Sequence, residues 1–164
     1  MKILVTGDQG FIGSHLVPLL YEKHDVIGWD LKDKRDIFSD KFEEAVRKCD
    51  VVYHLAALVS VNQSFENPMP TYMVNVLGTA RVVYLCAKYK KKLIYPSSAA
   101  IYFPNLSPYG HSKYIAEEIV KSFIKFIPIV ILRFFNVYGS GMNRDSGSVM
   151  YNFLHDKKLV VYGD

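Results

Sequence analysis

The stretch KILVTGDQGFIG, residues 2–13, joins an apolar, β-branched run to glycines at positions 7, 10 and 13. Glycines at this spacing, after a strand and before a helix, let the backbone turn tightly and approach a pyrophosphate. The phosphates would then meet the free N–H groups and the positive dipole end of the helix. The stretch therefore predicts a dinucleotide-binding turn made by Gly7, Gly10, Phe11, Ile12 and Gly13.

Asp30 supplies the second part of this pattern, because it follows the next apolar run, residues 25–29. A carboxylate there can accept hydrogen bonds from the adenosine ribose and repels a 2'-phosphate, which favours NAD over NADP. Lys32, Lys34 and Arg35 follow closely and could receive that phosphate, so NADP stays open as an alternative. A glycine-rich turn with a merely solvated Asp30 is the plainer interpretation.

Apolar runs alternate with segments of helical period along the rest of the chain. Strands are predicted at 2–5, 25–29, 51–55, 93–95, 128–134 and 159–162, and helices at 11–23, 42–48, 69–89, 109–126 and 148–157. This alternation predicts an α/β fold, a Rossmann-type doubly wound parallel sheet with helices on both faces.

Composition limits the classes of function. The chain has 164 residues, half of them hydrophobic, which suits one domain. The net charge of +4 is mild, and the basic run at 88–92 fits a helix end better than a nucleic-acid surface. Cys49 and Cys86 form no CxxC pair, so we expect no metal site and a cytoplasmic location. No stretch approaches the roughly 20 apolar residues of a membrane span, so no membrane partner is expected.

A second informative stretch is YPSSAAIYFPNLSPYGHSK, residues 95–113. Tyr109 and Lys113 are four residues apart at the start of a predicted helix and share one face. An ammonium near a phenol should lower the phenol's pKa and make a base usable near neutral pH. Ser98, just past a strand, can hydrogen-bond a sugar hydroxyl or ketone. A Tyr-x-x-x-Lys pair alone is weak evidence in a chain with 12 tyrosines, and its place after the serines is what favours an active site.

Seven motifs in order extend this interpretation to the whole chain, Met1 to Asp164. They are Thr6–Gly13, Asp36-Ile37, His54–Ala57, Asn75–Thr79, Ser97–Tyr102, Tyr109–Lys113 and Leu132–Gly139. With these motifs the chain resembles the extended short-chain dehydrogenase/reductase family, in particular its NAD-dependent nucleotide-sugar epimerases and dehydratases. It is most similar to the UDP-glucose 4-epimerase type.

The resemblance implies a role for individual residues. It makes Tyr109 the general base, Lys113 the residue that holds the nicotinamide ribose and tunes Tyr109, and Ser98 the catalytic hydroxyl and a substrate contact. It also implies cofactor contacts from Asp36 and Ile37 at the adenine and from Leu55, Ala56, Ala57, Asn75, Ser97 and Phe134, and a diphosphate contact from Asn136. Asn75 could instead bridge two segments, and His54 is better explained as a core histidine with satisfied hydrogen bonds.

The resemblance also narrows the reaction. Dehydratases of the family usually carry an Asp-Glu pair after the catalytic hydroxyl residue, whereas this chain has Ala99 and Ala100. We therefore expect an NAD-dependent enzyme that epimerises a nucleotide sugar, a UDP-hexose, at C4 through a 4-keto intermediate. The alternatives are an NADP-dependent 4-keto-sugar reductase and a truncated NAD-binding module without turnover.

Several segments are shorter than the family usually has. Five residues separate Asp30 from Asp36, where the family normally has a longer loop and a third strand, so we expect the third strand to be shortened or missing. Ten residues separate Ser98 from Tyr109, yet they can span up to about 33 Å, so the two side chains can still converge. Residues 159–164 resemble a segment that in relatives leads into the sugar-binding lobe, so 1–164 is expected to be the NAD-binding domain, with that lobe largely absent. The resemblance also implies a homodimer through the helices at 69–89 and 109–126. These helices carry apolar side chains that either add to such a surface or belong to the core: Val82, Val83, Leu85, Ile115, Ile119, Phe123 and Phe126.

Overall fold

The computed structural model describes residues 1–142 and contains five strands and six α-helices. The strands are β1 Lys2–Thr6, β2 Asp25–Trp29, β3 Val51–His54, β4 Lys92–Ser98 and β5 Ile129–Phe134. The helices are α1 Phe11–Tyr21, α2 Asp40–Lys48, α3 Val61–Glu66, α4 Pro68–Tyr72, α5 Thr79–Lys88 and α6 Pro108–Ser122. The predicted helix at 148–157 and strand at 159–162 lie outside the described residues.

All five strands are parallel and follow the order β2-β1-β3-β4-β5. The chain runs outward from β1 to β2 and then crosses back to β3, so the strand order reverses beside β1. Between β2 and α2 the chain forms a short 3₁₀ turn, Leu31–Asp33, and no strand, which leaves β2 at the edge of the described sheet. The predicted Rossmann-type sheet and its missing third strand are confirmed.

Apolar side chains cover both faces of the sheet. On one face Leu4, Val52 and Leu93 pack with residues of α2, α5 and α6. On the other face Ile3 and Val5 pack against α1. Successive residues of a strand point to opposite faces, so a strand with helices on both sides must be apolar throughout. This explains why β1 has an unbroken apolar run.

The helix predicted at 69–89 is more complex than its sequence pattern indicated. It consists of α4, a π-helical segment Met73–Gly78, and α5, which follow one another without a break. The short helix α3 was not predicted, because its six residues contain little apolar periodicity. β4 is longer than predicted and runs on through Pro96 to Ser98. The β3–β4 ladder ends at Ile94, so Pro96 lies beyond it and interrupts no hydrogen bond to β3.

The apolar residues predicted for a dimer surface are mostly core residues. Val82, Val83 and Leu85 are at most 1% exposed and pack inside the chain, while Ile119 and Phe123 pack against the same core from α6. For these residues the core alternative holds, because their side chains cover the chain's own sheet, whereas Phe126 is exposed. Other exposed apolar side chains of these helices include Met73, Leu77, Tyr84 and Tyr114.

His54 ties three elements together inside the core. Its Nδ1 lies 2.8 Å from the Thr6 hydroxyl on β1, and its Nε2 lies 3.2 Å from the Thr79 hydroxyl on α5. The Thr6 hydroxyl also accepts a hydrogen bond from the Ala56 N–H. The prediction of a satisfied core histidine is confirmed. Burial, together with the Lys113 charge, lowers the pKa of His54 to about 3.

This burial predicts a loss of stability in mild acid. Below about pH 6.5 an unfolded chain protonates this histidine, whereas folded His54 stays neutral, so the unfolded state binds more protons. We expect the free energy of unfolding to fall by about 2 kcal/mol between pH 6.5 and pH 4.5 from this residue. Urea unfolding at several pH values measures it.

Two variants test the assignment. His54→Asn should be less stable overall but should lose this part of the pH dependence, whereas the exposed His15→Asn should keep it. Equal pH dependence in His54→Asn and the unmodified chain would contradict the prediction.

Candidate active site at the carboxyl edge of the sheet

Parallel pairing brings the carboxyl ends of all five strands to one edge of the sheet. The residues that follow these ends are Gly7, Asp30, Leu55, Ala99 and Phe135. In open α/β sheets a ligand binds at this edge, where the strand order reverses. Here that point lies between β1 and β3, directly beside the glycine turn.

The glycine turn packs against the loop after β3 too closely for a side chain. Gly7 has φ +70°, and a Cβ on it would lie 2.7 Å from the Ala56 backbone nitrogen. A Cβ on Gly13 would overlap the Gly7 carbonyl oxygen, while the Gly10 N–H donates to that same oxygen at 3.1 Å. The turn therefore needs glycine for backbone conformation at Gly7 and for close approach at Gly13. It sets Leu55 and Ala56 beside the start of α1.

The start of α1 has no side-chain cap. Gly10 occupies the cap position, and no side chain accepts from the first N–H groups of Phe11, Ile12 or Gly13. By contrast, α2, α3 and α6 each begin with a serine that accepts such a hydrogen bond. Uncapped N–H groups and the helix dipole form a site for a phosphate. The turn thus fits the pyrophosphate of a dinucleotide.

Asp30 lies where the adenosine ribose of such a dinucleotide would bind. Its carboxylate accepts from the Gln9 N–H at 3.3 Å and from the Lys32 N–H at 2.9 Å. The Lys32 ammonium donates to the Gln9 carbonyl, and the Arg35 guanidinium donates to the Gly28 carbonyl. Two of the three cations that could have received a 2'-phosphate are therefore bound to backbone oxygens.

A further carboxylate, Asp8, was not singled out from the sequence. Burial raises the pKa of Asp8, and the charges of Asp30 and Asp33 raise it further, although backbone hydrogen bonds oppose them. Its side chain fills the space in front of Gly28, where a Cβ would overlap it. Three carboxylates in this region make the local potential unfavourable for an added phosphate.

The two residues predicted to contact adenine differ in burial. Asp36 is exposed, and its carboxylate accepts from the Phe38 N–H at 2.9 Å. Ile37 is 7% exposed and belongs to the core beneath α5. The Ile37 carbonyl accepts from the Arg81 guanidinium at 3.0 Å. The pair thus fixes the segment after β2, with the Asp36 side chain at the surface.

Asn75 bridges two segments, which was the plainer explanation of this residue. Its amide exchanges two hydrogen bonds of 2.9 Å with the Leu58 backbone and donates a third to the Ser112 hydroxyl. The π-helical segment carries Asn75, and widened turns of this kind are frequent at functional sites. The bridge holds the loop with Ala56 and Ala57 against α6, the helix that carries Tyr109 and Lys113.

The structure brings Ser98 and Tyr109 together across the short loop. Residues 99–108 fold into two 3₁₀ turns, Ala99–Tyr102 and Pro104–Leu106, and Ser107 then caps α6. Burial raises the pKa of Tyr109, and the nearby Ser98 hydroxyl lowers it. The lowering expected from Lys113 does not outweigh burial, and the Lys113 ammonium is hydrogen-bonded to the Pro96 carbonyl.

Lys113 is buried, with 6% of its surface exposed. Its ammonium donates to the Pro96 carbonyl at 2.8 Å and lies 4.6 Å from the centre of the Tyr95 ring. Burial lowers the pKa of Lys113 to about 8, while the Glu117 carboxylate opposes that shift. Lys113 is therefore charged near neutral pH, although its buried environment favours the neutral amine.

The remaining predicted contacts lie at the same edge. Ser97 is buried beside Ser98, and its hydroxyl has no hydrogen-bond partner among residues 1–142. Phe134 ends β5 and pairs in register with Ser98. Asn136 is exposed just beyond that strand. Among residues 1–142 no group of three His, Cys, Asp or Glu side chains is placed to hold a metal ion. In the same part of the chain no helix is long and apolar enough to cross a membrane.

A carboxylate that the sequence patterns did not mark, Glu117, lies on α6 one turn after Lys113. It is 0% exposed and accepts from the Arg133 guanidinium of β5. Its spacing of four residues from Lys113 and eight from Tyr109 was a signal that could have found it.

Comparisons with known proteins agree with this geometry. A protein of Methanocaldococcus jannaschii that carries the provisional name UDP-glucose 4-epimerase is 34% identical over 201 aligned positions, which cover 99% of this chain and 66% of that protein. Since this chain has 164 residues, at least 37 of those positions have no counterpart in it. This agrees with the shortened segments.

Two solved structures are similar to the chain. A UDP-N-acetylglucosamine 4-epimerase from Methanobrevibacter ruminantium M1, in complex with UDP-N-acetylmuramic acid, has a TM-score of 0.85 and 28% identity, with coverage of 99% of this chain and 66% of that one. A UDP-glucuronic acid 4-epimerase from Bacillus cereus, in complex with NAD, has a TM-score of 0.76 and 32% identity, with coverage of 88% and 59%. The chain thus spans slightly less than two thirds of the length of these relatives.

The family model described as "NAD dependent epimerase/dehydratase family" matches residues 3–164. That range contains the glycine turn, Asp30 and the Ser98, Tyr109 and Lys113 cluster. The chain belongs to the NAD-dependent epimerase/dehydratase family, whose cofactor is NAD.

Proposed function

We propose that the chain contributes the cofactor site and the proton-transferring residues of a nucleotide-sugar 4-epimerase that acts on a UDP-hexose. The observation that carries the proposal is the convergence of Ser98, Tyr109 and Lys113 at the carboxyl edge of the sheet. Burial raises the pKa of Tyr109 and the nearby Ser98 hydroxyl opposes that shift, and Lys113 lies one turn along the same helix. The uncapped start of α1 lies at this same edge.

NAD, when bound, supplies the acceptor and later the donor of a hydride. The backbone of Gly10 to Gly13 would hold its pyrophosphate, and Asp30 would accept from its adenosine ribose. Lys113, close to the sheet edge, would bind the nicotinamide ribose. The carboxylates of Asp8, Asp30 and Asp33 support a preference for NAD over NADP.

Tyr109 would remove the proton from the C4 hydroxyl of the sugar as that carbon is oxidised, leaving a 4-keto sugar. Ser98 would hydrogen-bond the same oxygen before and after oxidation. Turning the ketone over, returning the hydride to its other face and returning the proton from Tyr109 would give the epimer, so the reaction needs no other acid or base. Burial raises the pKa of Tyr109 in the chain alone, so the phenolate that the first half needs depends on positive charge beside it, which the oxidised nicotinamide ring and Lys113 would supply.

Ala99 and Ala100 support epimerisation rather than loss of water. They form the first part of the 3₁₀ turn directly after Ser98, and the Ala100 N–H donates to the Ser98 hydroxyl oxygen at 3.2 Å. Methyl side chains at these positions can neither donate nor accept a proton. A dehydration would need an acid and a base from elsewhere in the protein.

Replacing the proposed base tests this assignment. Tyr109→Phe should lower the rate of interconversion of UDP-glucose and UDP-galactose by about 10²- to 10⁴-fold, because it removes the proton-transferring group. NAD binding, measured by calorimetry, should change little. The exposed Tyr114→Phe on the same helix is the matched control and should keep its activity. A chain that binds NAD but leaves UDP-hexoses unchanged would favour the NAD-binding module without turnover.

Replacing Asp30 tests the cofactor preference. Asp30→Ser should weaken NAD binding about tenfold, since a charged hydrogen-bond acceptor for the ribose is lost. NADP binding should weaken less or improve, because a repelling charge is removed. Calorimetric titration with both dinucleotides measures the ratio. Asp33→Ser, a carboxylate on the same turn, should change that ratio less, and an unchanged ratio in Asp30→Ser would contradict the prediction.

We also propose that two copies associate through the surface formed by the π-helical segment, α5 and α6. Met73, Leu77 and Tyr84 are 50 to 56% exposed, and Tyr114 of α6 is 41% exposed. A two-fold interface uses the same patch on both copies, which suits a face of exposed apolar side chains. The helices are those predicted from the sequence, while the contact residues are different.

Light scattering coupled to size-exclusion chromatography tests this surface. Leu77→Asp should shift a dimer to the monomer at micromolar concentration, because a carboxylate would be buried without a partner. Leu19→Asp, an exposed leucine on α1, is the control and should leave the mass unchanged. A monomeric unmodified chain would overturn the proposal.

A further inference from the structure

One face of α6 carries alternating charges beyond Tyr109. Lys113, Glu117 and Lys121 follow it at intervals of four residues and lie in one row. Lys113 and Glu117 are buried, with 6% and 0% of their surface exposed, and the Lys121 side chain is 38% exposed. The row therefore runs from the candidate active site, through the interior, to the opposite end of the helix.

Two cations hold the Glu117 carboxylate on its outer side. Arg133 of β5 donates from Nη2 at 2.7 Å and from Nε to both carboxylate oxygens at 3.2 Å. The Lys121 ammonium lies 2.9 Å from Oε1. Burial raises the pKa of Glu117, but Arg133, the nearby Ser97 hydroxyl and Lys121 outweigh it and hold this pKa well below its ordinary range. Glu117 is thus ionised near neutral pH.

Glu117 is the negative charge that acts on Lys113. The Lys113 ammonium contacts the Pro96 carbonyl and the Tyr95 ring, and within residues 1–142 no carboxylate lies within 4 Å of it. Around it, Tyr95 and Tyr109 are phenols whose pKa burial raises, and His54 has its pKa lowered to about 3. These three groups are neutral near pH 7, so among residues 1–142 Glu117 is the charged group that favours the ammonium form of Lys113.

We propose that Glu117 is a positioning residue that keeps the Lys113 ammonium charged inside the protein, and that Arg133 sets how much of the Glu117 charge Lys113 experiences. This inference rests on the proposed function, in which Lys113 binds the nicotinamide ribose as a cation. It assigns the ion pair between α6 and β5 a role in the chemistry. The alternative is a purely structural role, in which that ion pair only holds α6 against the sheet.

The two roles predict different shifts in the pKa of Lys113. Glu117→Gln removes a negative charge and exposes Lys113 to the unbalanced charges of Arg133 and Lys121, so Lys113 should lose its proton at a lower pH. Arg133→Gln removes a positive charge and leaves Glu117 less neutralised, so Lys113 should keep its proton to a higher pH. A purely structural role predicts a loss of stability in both variants and no opposite shifts in the pKa of Lys113.

The titration of Lys113 can be measured directly. The chain is labelled with ¹³C and ¹⁵N lysine, the Lys113 side-chain signal is assigned by its absence in Lys113→Met, and its chemical shift is followed from pH 6 to pH 11. We expect the midpoint to move about one pH unit down in Glu117→Gln and up in Arg133→Gln. Arg133→Lys should restore a midpoint close to that of the unmodified chain. Glu118→Gln, an exposed neighbour paired with Lys121, should leave the midpoint unchanged.

This experiment needs neither turnover nor NAD, so its outcome is independent of the proposed reaction. Should Glu117→Gln fail to fold, the upward shift in Arg133→Gln and its reversal in Arg133→Lys still decide the question. Midpoints that stay the same, or that move in the same direction in both variants, would overturn the proposal. Calorimetric NAD binding adds a second readout, in which Glu117→Gln should bind at least about threefold more weakly at pH 8 than at pH 6.5, relative to the unmodified chain.

Discussion

The burial of the Lys113 ammonium is the interaction on which the arrangement of this site depends. An unpaired charge in a protein interior costs several kcal/mol or loses its proton. The structure offsets that cost with the Pro96 carbonyl, the face of the Tyr95 ring and the ionised Glu117. Each of these partners comes from β4 or α6, so the two elements that carry Ser98 and Tyr109 are held together by the same charge.

The sheet topology provides the other half of the site. β1 lies between β2 and β3, and the chain reverses its direction across the sheet beside β1. The glycine turn after β1 therefore packs between Asp30, which follows β2, and the loop after β3. Thr6, the last residue of β1, bonds His54 and the Ala56 N–H. Small changes in this packing would move the cofactor turn and the candidate catalytic helix α6 together, because Asn75 connects the β3 loop to α6.

The strands and the fold class could be predicted because their signals are local. β1 and β3 are short apolar runs between turn residues, and Gly7 to Gly13 has a spacing with a specific backbone reason. The π-helical segment and the extension of β4 could not be predicted, since β4 beyond Ile94 pairs only with β5, more than 30 residues away. A bridging role of Asn75 was offered, but its partners, 17 and 37 residues away, could not be named. The choice between core and dimer surface for the apolar residues of α5 and α6 stayed open for the same reason, because apolar character alone does not say which side of a helix covers the sheet.

The site, too, could be predicted from the sequence only in part. Tyr109, Lys113 and Ser98 could be found from spacing and strand position, and the structure does bring them together. Their electrostatics could not be read from spacing, because burial shifts the pKa of both groups in addition to the charges around them. Pro96 lies beyond the β3–β4 ladder, and its carbonyl accepts a hydrogen bond from the Lys113 ammonium. In our proposal the charge on Lys113 is governed from the far side of α6, by a carboxylate on the next turn and a guanidinium on β5. A family motif marks the residues proposed to meet the ligands, whereas the charges that surround them come from neighbours outside the motif.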